Sequence, residues 1–136
     1  IAAERNPDKI KVLFLEACYA DTKEALLSLY RWVNPLFGIV FGPMILCWMN
    51  LFYRNQLAAV SPARLAPSLK MQVMMIHGEK DRRFPLQFAR KLKDSFPSGQ
   101  AELYVAPGAG HSDSSGTPGY KPAVKMFLDR YVKADS

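Results

Sequence analysis

The sequence predicts a single α/β domain, a three-layer sandwich in which a mostly parallel sheet carries helices on both faces. Short apolar runs at residues 11–15, 71–76 and 101–105 have the length and composition of buried strands. Segments of helical periodicity separate these runs, and strands joined through helices form parallel sheets with right-handed crossovers. The length of 136 residues suits one domain and excludes a two-domain enzyme. A composition with 49% hydrophobic and 22% charged residues is that of a folded protein.

The first part of the chain contains one predicted strand and one predicted helix. Residues 1–5 are Ala-rich and stop before an Asn-Pro pair, which resembles a helix tail. Residues 11–15 (KVLFL) follow a Pro-Asp turn signal and are apolar throughout, as in a strand that is buried on both faces. Asp21, with a glutamate three residues later, forms a capping-box pattern, and apolar residues follow at helical spacing. A helix therefore begins near Thr22.

Residues 32–53 (WVNPLFGIVFGPMILCWMNLFY) contain no charged side chain and are long enough to span a membrane. Two prolines, two glycines and two asparagines interrupt the segment. A single crossing would also leave the strands before and after it on opposite sides of the bilayer, where they cannot pair. We therefore expect residues 22–60 to form a helical, lid-like insertion between the first and second strands. Its apolar part would line a pocket, and contact with a membrane surface is the alternative.

The second part of the chain alternates strand and helix. Residues 61–68 form a connection broken by prolines, and residues 71–76 (MQVMMI) form the second strand. A third strand at residues 101–105 and a loop rich in Gly, Ser and Pro at residues 106–120 precede a last amphipathic helix. Between the second and third strands, four apolar residues predict a helix with Pro85 at its first position and a Pro-Ser-Gly stop: Phe84, Phe88, Leu92 and Phe96.

Charge and cysteine content narrow the classes of function. Eighteen basic and twelve acidic residues give a net charge of +6, which fits an anionic partner or simple solubility. Two cysteines, Cys18 and Cys47, are too few to stabilise a domain of this size through disulfides, so we expect a fold that does not depend on them. No basic-then-apolar leader follows Ile1, and we expect the chain to be cut from a longer protein. Its compartment stays open between the cytoplasm and a membrane surface.

Polar residues that follow the predicted strands are the candidates for chemistry, because function gathers beyond the carboxyl ends of parallel strands. Residues 77–81 (HGEKD) follow the second strand, and residues 106–113 (APGAGHSD) follow the third. An acid in one loop and a histidine in the next can meet at this edge of the sheet. There the carboxylate would hold the proton of one ring nitrogen and leave the other nitrogen as a base. Such a pair needs a nucleophile.

Together these residues resemble the acid and histidine segments of the α/β-hydrolase superfamily of serine hydrolases, which includes esterases, lipases and acyl-thioesterases. The H-G-x-x-D pattern that ends at Asp81, a helix headed by Pro85 and the G-A-G-H pattern that ends at His111 follow the order of that family. The resemblance covers most of residues 1–136 and implies the carboxyl-terminal part of one α/β-hydrolase domain. It implies that Asp81 is the triad acid and His111 the general base, with no cofactor.

The resemblance also implies a nucleophilic serine on a G-x-S-x-G elbow between a strand and a helix. The nearest pattern, residues 110–114 (GHSDS), lacks the last glycine and lies in a loop. We therefore expect the nucleophile and the oxyanion-hole amides to lie upstream of Ile1, and this chain alone to be inactive. The implied activity of the parent is cleavage of an ester, thioester or related acyl bond in a lipophilic or acyl small molecule. The sheet edge exposed by the missing upstream half would favour self-association.

Each candidate residue also has a structural interpretation. Asp81 taken alone fits an ordinary cap of the following helix. Asp21 is the reserve acid, although its pattern with Glu24 indicates a helix cap. His77 ends a buried strand, which indicates a packed, hydrogen-bonded histidine. Asp113 either orients the loop around the catalytic histidine or is a solvated loop acid.

The remaining classes of function have weaker support. The basic clusters at residues 80–83 and 90–93 come without a nucleic-acid motif or an aromatic platform, so a solvated face is favoured and no nucleic-acid partner is expected. The histidines, acids and cysteines lack the spacing of metal ligands, and we expect no metal site. The rival of the hydrolase hypothesis is a non-catalytic module in which the apolar residues 32–53 bind a membrane or a protein partner.

Overall fold

The computed structural model describes residues 10–54 and 61–133, and these have the predicted α/β architecture. The expected helix tail at residues 1–5 lies outside the described residues, as does the end of the expected 22–60 insertion. The three strands form one parallel sheet in the order β1-β2-β3. In chain order they are β1 (Val12–Glu16), β2 (Gln72–Gly78) and β3 (Ala101–Ala106).

Helices connect the strands. Three of them lie between β1 and β2 and precede a short fourth helix, one joins β2 to β3, and one follows β3. They are α1 (Thr22–Val33), α2 (Pro35–Val40), α3 (Gly42–Phe52), α4 (Pro62–Leu65), α5 (Leu86–Lys93) and α6 (Tyr120–Tyr131). Single turns of tighter helix occur at Ala66–Ser68 and Ser114–Gly116.

The central strand β2 divides the core into two apolar layers. Val73 and Met75 pack with Leu92 of α5 on one face of the sheet. The alternate residues Met74 and Ile76, with Phe127 of α6, form the core on the other face. Because helices cover both faces, β2 is apolar at nearly every position rather than at every second one. The three-layer sandwich predicted from the sequence is confirmed.

Strand β1 is an edge strand of the described sheet, and it is less buried than predicted. The pattern KVLFL predicts burial on both faces, yet Phe14 is 37% exposed and Leu13 and Leu15 are only half-buried. Phe14 still makes an edge contact with Phe127, with ring centroids 5.5 Å apart. An all-apolar run therefore indicates a strand here but does not indicate its place in the sheet.

Helix α1 begins at Thr22, as its capping pattern predicts. The Oδ1 atom of Asp21 accepts hydrogen bonds from the backbone N–H groups of Lys23 and Glu24 at 2.9 and 3.0 Å. The Glu24 carboxylate accepts a hydrogen bond from Lys91 Nζ at 2.6 Å, which links α1 to α5. Asp21 therefore satisfies the free N–H groups at the start of α1.

Helix α5 is shorter at both ends than its apolar spacing predicts. Pro85 precedes the helix with an extended ψ of 145°, so the first helical residue is Leu86. The helix ends at Lys93 because the next turn tightens, and Phe96 N–H donates to the carbonyl of Lys93. Phe96 is nonetheless buried, as its apolar spacing predicts.

The uncharged segment at residues 32–53 forms the end of α1 and the two short helices α2 and α3. In the described part of the chain, no helix has the length and apolar character needed to cross a membrane. Most of its large apolar side chains are exposed, so the expectation that the segment lines a pocket stays a prediction. The exposed ones are Trp32, Val33, Leu36, Phe37, Ile39, Val40, Phe41, Met44, Trp48, Leu51, Phe52 and Tyr53.

Candidate active site

The Asp81 carboxylate lies in the turn after β2, and its side chain is fully buried. Its Oδ1 atom accepts hydrogen bonds from the backbone N–H groups of Arg83 and Phe84 at 2.9 and 3.0 Å. These bonds stabilise the turn itself, whereas α5 begins later and has no side-chain cap. The local interpretation of Asp81 as a capping residue is therefore correct for the turn and wrong for the helix.

The second oxygen of the same carboxylate binds His111 from the loop after β3. Asp81 Oδ2 lies 2.8 Å from His111 Nδ1, and the His111 side chain is 24% exposed. A buried carboxylate at this distance holds the Nδ1–H tautomer and leaves Nε2 as the nitrogen that can accept a proton. The ring of Phe84 contacts the imidazole edge-on, with centroids 5.2 Å apart, and restricts its rotation. The structure thus brings together the two residues that the sequence singles out.

Gly78 permits the close approach of the two loops. A Cβ atom at this position would lie 2.1 Å from the Gly110 carbonyl oxygen and 2.6 Å from that of Ala109. The absence of a side chain lets the Lys80 N–H donate to the Ala109 carbonyl at 2.8 Å. A glycine at the end of the predicted strand is the sequence signal for this close approach, although its backbone partners, Ala109 and Gly110, cannot be predicted from sequence.

His77 is the packed, hydrogen-bonded histidine that its position predicts. It is completely buried, and its Nε2 lies 2.7 Å from the Phe84 carbonyl oxygen. The same nitrogen is 3.6 Å from Asp81 Oδ2. His77 therefore supports the turn that holds the carboxylate, from the buried side.

Neither Asp21 nor Asp113 forms a hydrogen bond with Asp81 or His111 in the described part of the chain. The contacts of Asp21 are with the first turn of α1 and with Ser61 Oγ, which donates to its Oδ2 at 3.3 Å. Asp81, not the reserve acid Asp21, is the carboxylate that meets His111. Asp113 is exposed and lies against Gly110. Ser112 adopts a φ of 59° in the turn after His111.

A cavity of about 360 Å³ adjoins the imidazole. It is lined by Trp32, Lys80, Arg82, Arg83, His111 and Asp113. The sequence pattern favours a solvated face for the basic clusters. Lys80 and Arg82 are exposed and Arg83 is half-buried, which agrees with a solvated face that also borders this cavity. The charged residues of the second cluster, Arg90, Lys91 and Lys93, are exposed on α5. A larger cavity of about 500 Å³ lies between α1 and α5, and neither Asp81 nor His111 borders it.

Residues 10–54 and 61–133 contain no group of three or more His, Cys, Asp or Glu side chains arranged to hold a metal ion. Both cysteines are free, with Cys47 exposed and Cys18 half-buried. Burial raises the pKa of the Cys18 thiol to about 11, which disfavours the thiolate that a nucleophile or metal ligand needs.

Comparison with known proteins supports the same fold. No protein-family profile and no curated protein sequence matches the chain. An α/β-hydrolase enzyme from a sediment metagenome of the Mar Chica lagoon in Morocco matches 95% of the chain, with a TM-score of 0.60 and 18% identity. Acetyl xylan esterase 1 from Thermoanaerobacterium matches 96% of it, with a TM-score of 0.65 and 18% identity. The chain has the fold of part of an α/β-hydrolase.

Acylaminoacyl peptidase from Pyrococcus horikoshii extends the set of similar α/β-hydrolases, with a TM-score of 0.64 and 19% identity over 96% of the chain. The chain spans only 54%, 40% and 22% of the lengths of these three proteins. At such identities the likeness establishes the α/β-hydrolase fold alone. The chemistry of this chain has to be argued from its own residues.

Proposed function

We propose that this chain supplies the acid and the general base of a serine hydrolase that cleaves an ester, thioester or related acyl bond. The observation that carries the proposal is the contact between Asp81 Oδ2 and His111 Nδ1 at 2.8 Å. The pair lies beyond the carboxyl ends of β2 and β3, where open parallel sheets place their active sites. A fold shared with esterases and a peptidase also supports acyl chemistry.

In the proposed mechanism, His111 Nε2 takes the proton of a serine hydroxyl as its oxygen attacks the acyl carbon. The same nitrogen then donates that proton to the leaving group, and a second cycle with water releases the acid. Asp81 keeps the imidazole in the required tautomer and stabilises its cationic form. Its other oxygen is already satisfied by two backbone N–H groups, so the carboxylate enters the reaction in a fixed position.

The proposal assigns the nucleophile and the oxyanion-hole amides to a segment outside these 136 residues. The loops at residues 17–21 and 79–85, which join a strand directly to a helix, contain no serine. Ser112 has a left-handed backbone, but it lies in a turn that leads to Ser114–Gly116 rather than to the start of a helix. It therefore lacks the strand-to-helix context of an elbow serine.

We further propose a lipophilic acyl substrate, with α1 to α3 serving as a lid. The exposed apolar side chains of α2 and α3 offer a wall for an acyl chain, and Trp32 connects this wall to the cavity beside His111. The rival interpretation, a non-catalytic module, has less support because it leaves the buried Asp81–His111 pair without a role.

The test is an assay of a longer polypeptide that contains the serine segment together with these residues, using a short-chain aryl ester. We expect His111→Ala and Asp81→Asn each to lower kcat by about ten-thousandfold or more, while circular dichroism stays unchanged. Asp94→Asn, which removes an exposed acid at the end of α5, is the matched control and should retain full activity. Hydrolysis by residues 1–136 alone would refute the proposal.

A measurement that does not depend on activity tests the pair itself. In the 136-residue chain, the Nδ1 proton of His111 should give a downfield NMR signal that is protected from exchange, because it is bonded to a buried carboxylate. Asp81→Asn should remove this signal. Its persistence in that variant would mean that another group holds the imidazole.

A further inference from the structure

We propose that the substrate of this site carries an anionic group, a carboxylate or a phosphate, which binds Lys80, Arg82 and Arg83 beside the imidazole of His111. This inference rests on the proposed function, since it places the anion in the cavity next to the proposed general base. It narrows the substrate from acyl compounds in general to anionic acyl esters.

The charge of the cavity is the first argument. Three cationic side chains and one carboxylate, that of Asp113, border a space of about 360 Å³ together with His111 and Trp32. Like charges that converge on one concave site repel one another, and they focus an attractive potential for anions. A water molecule takes about 30 Å³, so the cavity has the volume of roughly a dozen waters. That volume admits a carboxylate or phosphate group together with part of an ester.

The second argument is that these three cations form no ion pair with an acid of the described residues. Within residues 10–54 and 61–133, the ion pairs of lysine and arginine join Lys91 to Glu24, Arg130 to Glu102, and Lys125 and Lys133 to Asp129. None of these pairs involves Lys80, Arg82 or Arg83. No acid of the described residues lies within ion-pair distance of Lys80, Arg82 or Arg83, so these charges are available to a ligand.

The third argument is the fixed position of Arg83. Its backbone N–H donates to Asp81 Oδ1 at 2.9 Å, and its carbonyl accepts a hydrogen bond from Ser28 Oγ at 2.6 Å. Its guanidinium lies over the Trp32 ring, 4.1 Å from the centroid. Stacking occupies the flat face of a guanidinium and leaves its N–H edge free to donate bidentate hydrogen bonds to a carboxylate or phosphate. The residue that holds the catalytic carboxylate through its backbone is therefore placed to bind substrate through its side chain.

Trp32 makes the anion site continuous with the apolar surface. It borders the cavity, and it is also the first residue of the uncharged segment that continues through α2 and α3. An ester with an apolar chain and an anionic end would match both parts, with its scissile bond near His111. Because both ends of such a substrate are recognised, the cationic group would select among lipophilic esters rather than attract anions in general.

Direct binding to the 136-residue chain tests the inference without any catalysis. The sequence has two tryptophans, and only Trp32 borders the cavity, so the indole N–H signals in NMR report on the site and carry an internal control in Trp48. Benzoate and inorganic phosphate are the anionic probes, and benzamide is the neutral counterpart of benzoate. We expect an anion to shift the signal of Trp32 and that of Trp48 to stay fixed, with binding weakened by added salt.

Substitutions assign the binding to the cationic side chains. Arg82→Gln and Arg83→Gln should each weaken binding about three- to tenfold, since charged hydrogen bonds at partly exposed sites keep only part of their strength. Asp113→Asn should strengthen it, because that change removes the one carboxylate of the cavity. Arg90→Gln removes an equal charge from α5 and should change nothing.

The outcomes separate the two sources of the anion and the two proposals. Binding of benzoate favours an acyl ester that carries a carboxylate, and binding of phosphate alone favours an acyl ester that carries a phosphate group. Either result supports the inference. It is overturned if neither anion shifts the Trp32 signal, if benzamide shifts it equally, or if Arg90→Gln weakens binding as much as Arg82→Gln does.

Turnover by the longer polypeptide completes the test. An aryl hemisuccinate carries a carboxylate, and the aryl butyrate is its neutral counterpart. We expect kcat/KM for the hemisuccinate to exceed that for the butyrate. The ratio of the two kcat/KM values should fall about tenfold or more in the double variant Arg82→Gln/Arg83→Gln. If neither ester is hydrolysed while benzoate binds, the proposed function fails and the anion site stands. If both esters are hydrolysed at similar rates and the double substitution leaves their ratio unchanged, only the anion inference fails.

Discussion

Substituting Gly78 by alanine should move the loop that carries His111 away from Asp81. The new methyl group would lie 2.1 Å from the Gly110 carbonyl oxygen and 2.6 Å from that of Ala109, and both obstacles are backbone atoms that no side-chain rotation can move. The loop after β3 would have to retreat by roughly 1 Å or more to reach ordinary contact distance. That movement would break the hydrogen bond from the Lys80 N–H to the Ala109 carbonyl and withdraw His111 from Asp81.

Two terms set the expected loss of stability. Overpacking at a tight site costs about 1–3 kcal/mol, and loss of a backbone hydrogen bond costs about 1 kcal/mol. We therefore expect Gly78→Ala to lower the free energy of unfolding by about 2–4 kcal/mol, measured by urea denaturation of the 136-residue chain. The protected Nδ1 proton signal of His111 should weaken or disappear in the same protein.

Gly116→Ala is the matched control, because a Cβ there meets nothing within 4 Å and its φ is not in the left-handed region. It should change the free energy of unfolding by less than about 1 kcal/mol and leave the His111 signal intact. The reasoning is refuted if Gly78→Ala is as stable as Gly116→Ala and keeps the histidine signal. The two loops would then be held together by something other than the close backbone approach.

Two further predictions concern the core and the cysteines. Phe127→Ala should lower the free energy of unfolding by about 3–5 kcal/mol, because Phe127 of α6 is 2% exposed and packs against β2. The same change at Met126, which is 60% exposed, should cost less than about 0.5 kcal/mol, and similar losses for the two would contradict the layer assignment. Iodoacetamide at pH 8 should label Cys47 before Cys18, as followed by mass spectrometry. A pKa of about 11 instead of 9.0 lowers the Cys18 thiolate fraction about a hundredfold, so equal labelling would argue against its burial.

The fold was predictable from sequence where a local pattern determines local structure. The run at residues 71–76 overlaps the observed β2 at all but its first residue, and the run at residues 101–105 lies within β3. The capping pattern at Asp21 marks the first turn of α1. Prediction was weaker where the outcome depends on neighbours distant in sequence. The edge position of β1 and the exposure of α2 and α3 are decided by which elements cover them, and a pattern of apolar residues does not contain that information.

The candidate site shows the same division. Asp81 and His111 were predictable because the topology of a parallel sheet brings the ends of neighbouring strands to one edge, whatever the intervening sequence. A capping role and the proposed catalytic role of Asp81 are compatible, because its two oxygens have different partners. Oδ1 accepts hydrogen bonds from its own turn, and Oδ2 contacts the imidazole. Apart from His111, the contacts that position the carboxylate lie within residues 77–84, which is why a short sequence pattern predicts them.

Trp32 and Arg83 lie 51 positions apart in sequence, and no local rule pairs them. Their stacking depends on how α1 packs beside the turn after β2, where Ser28 also reaches the Arg83 carbonyl. The contact between Asp81 and His111 thus follows from topology, whereas the surroundings proposed to select a substrate follow from the placement of the helical insertion. If the proposed function holds, changes in α1 should alter substrate preference more readily than the acyl chemistry itself. An Asp81–His111 contact that depended on Trp32 or Ser28 would contradict this division.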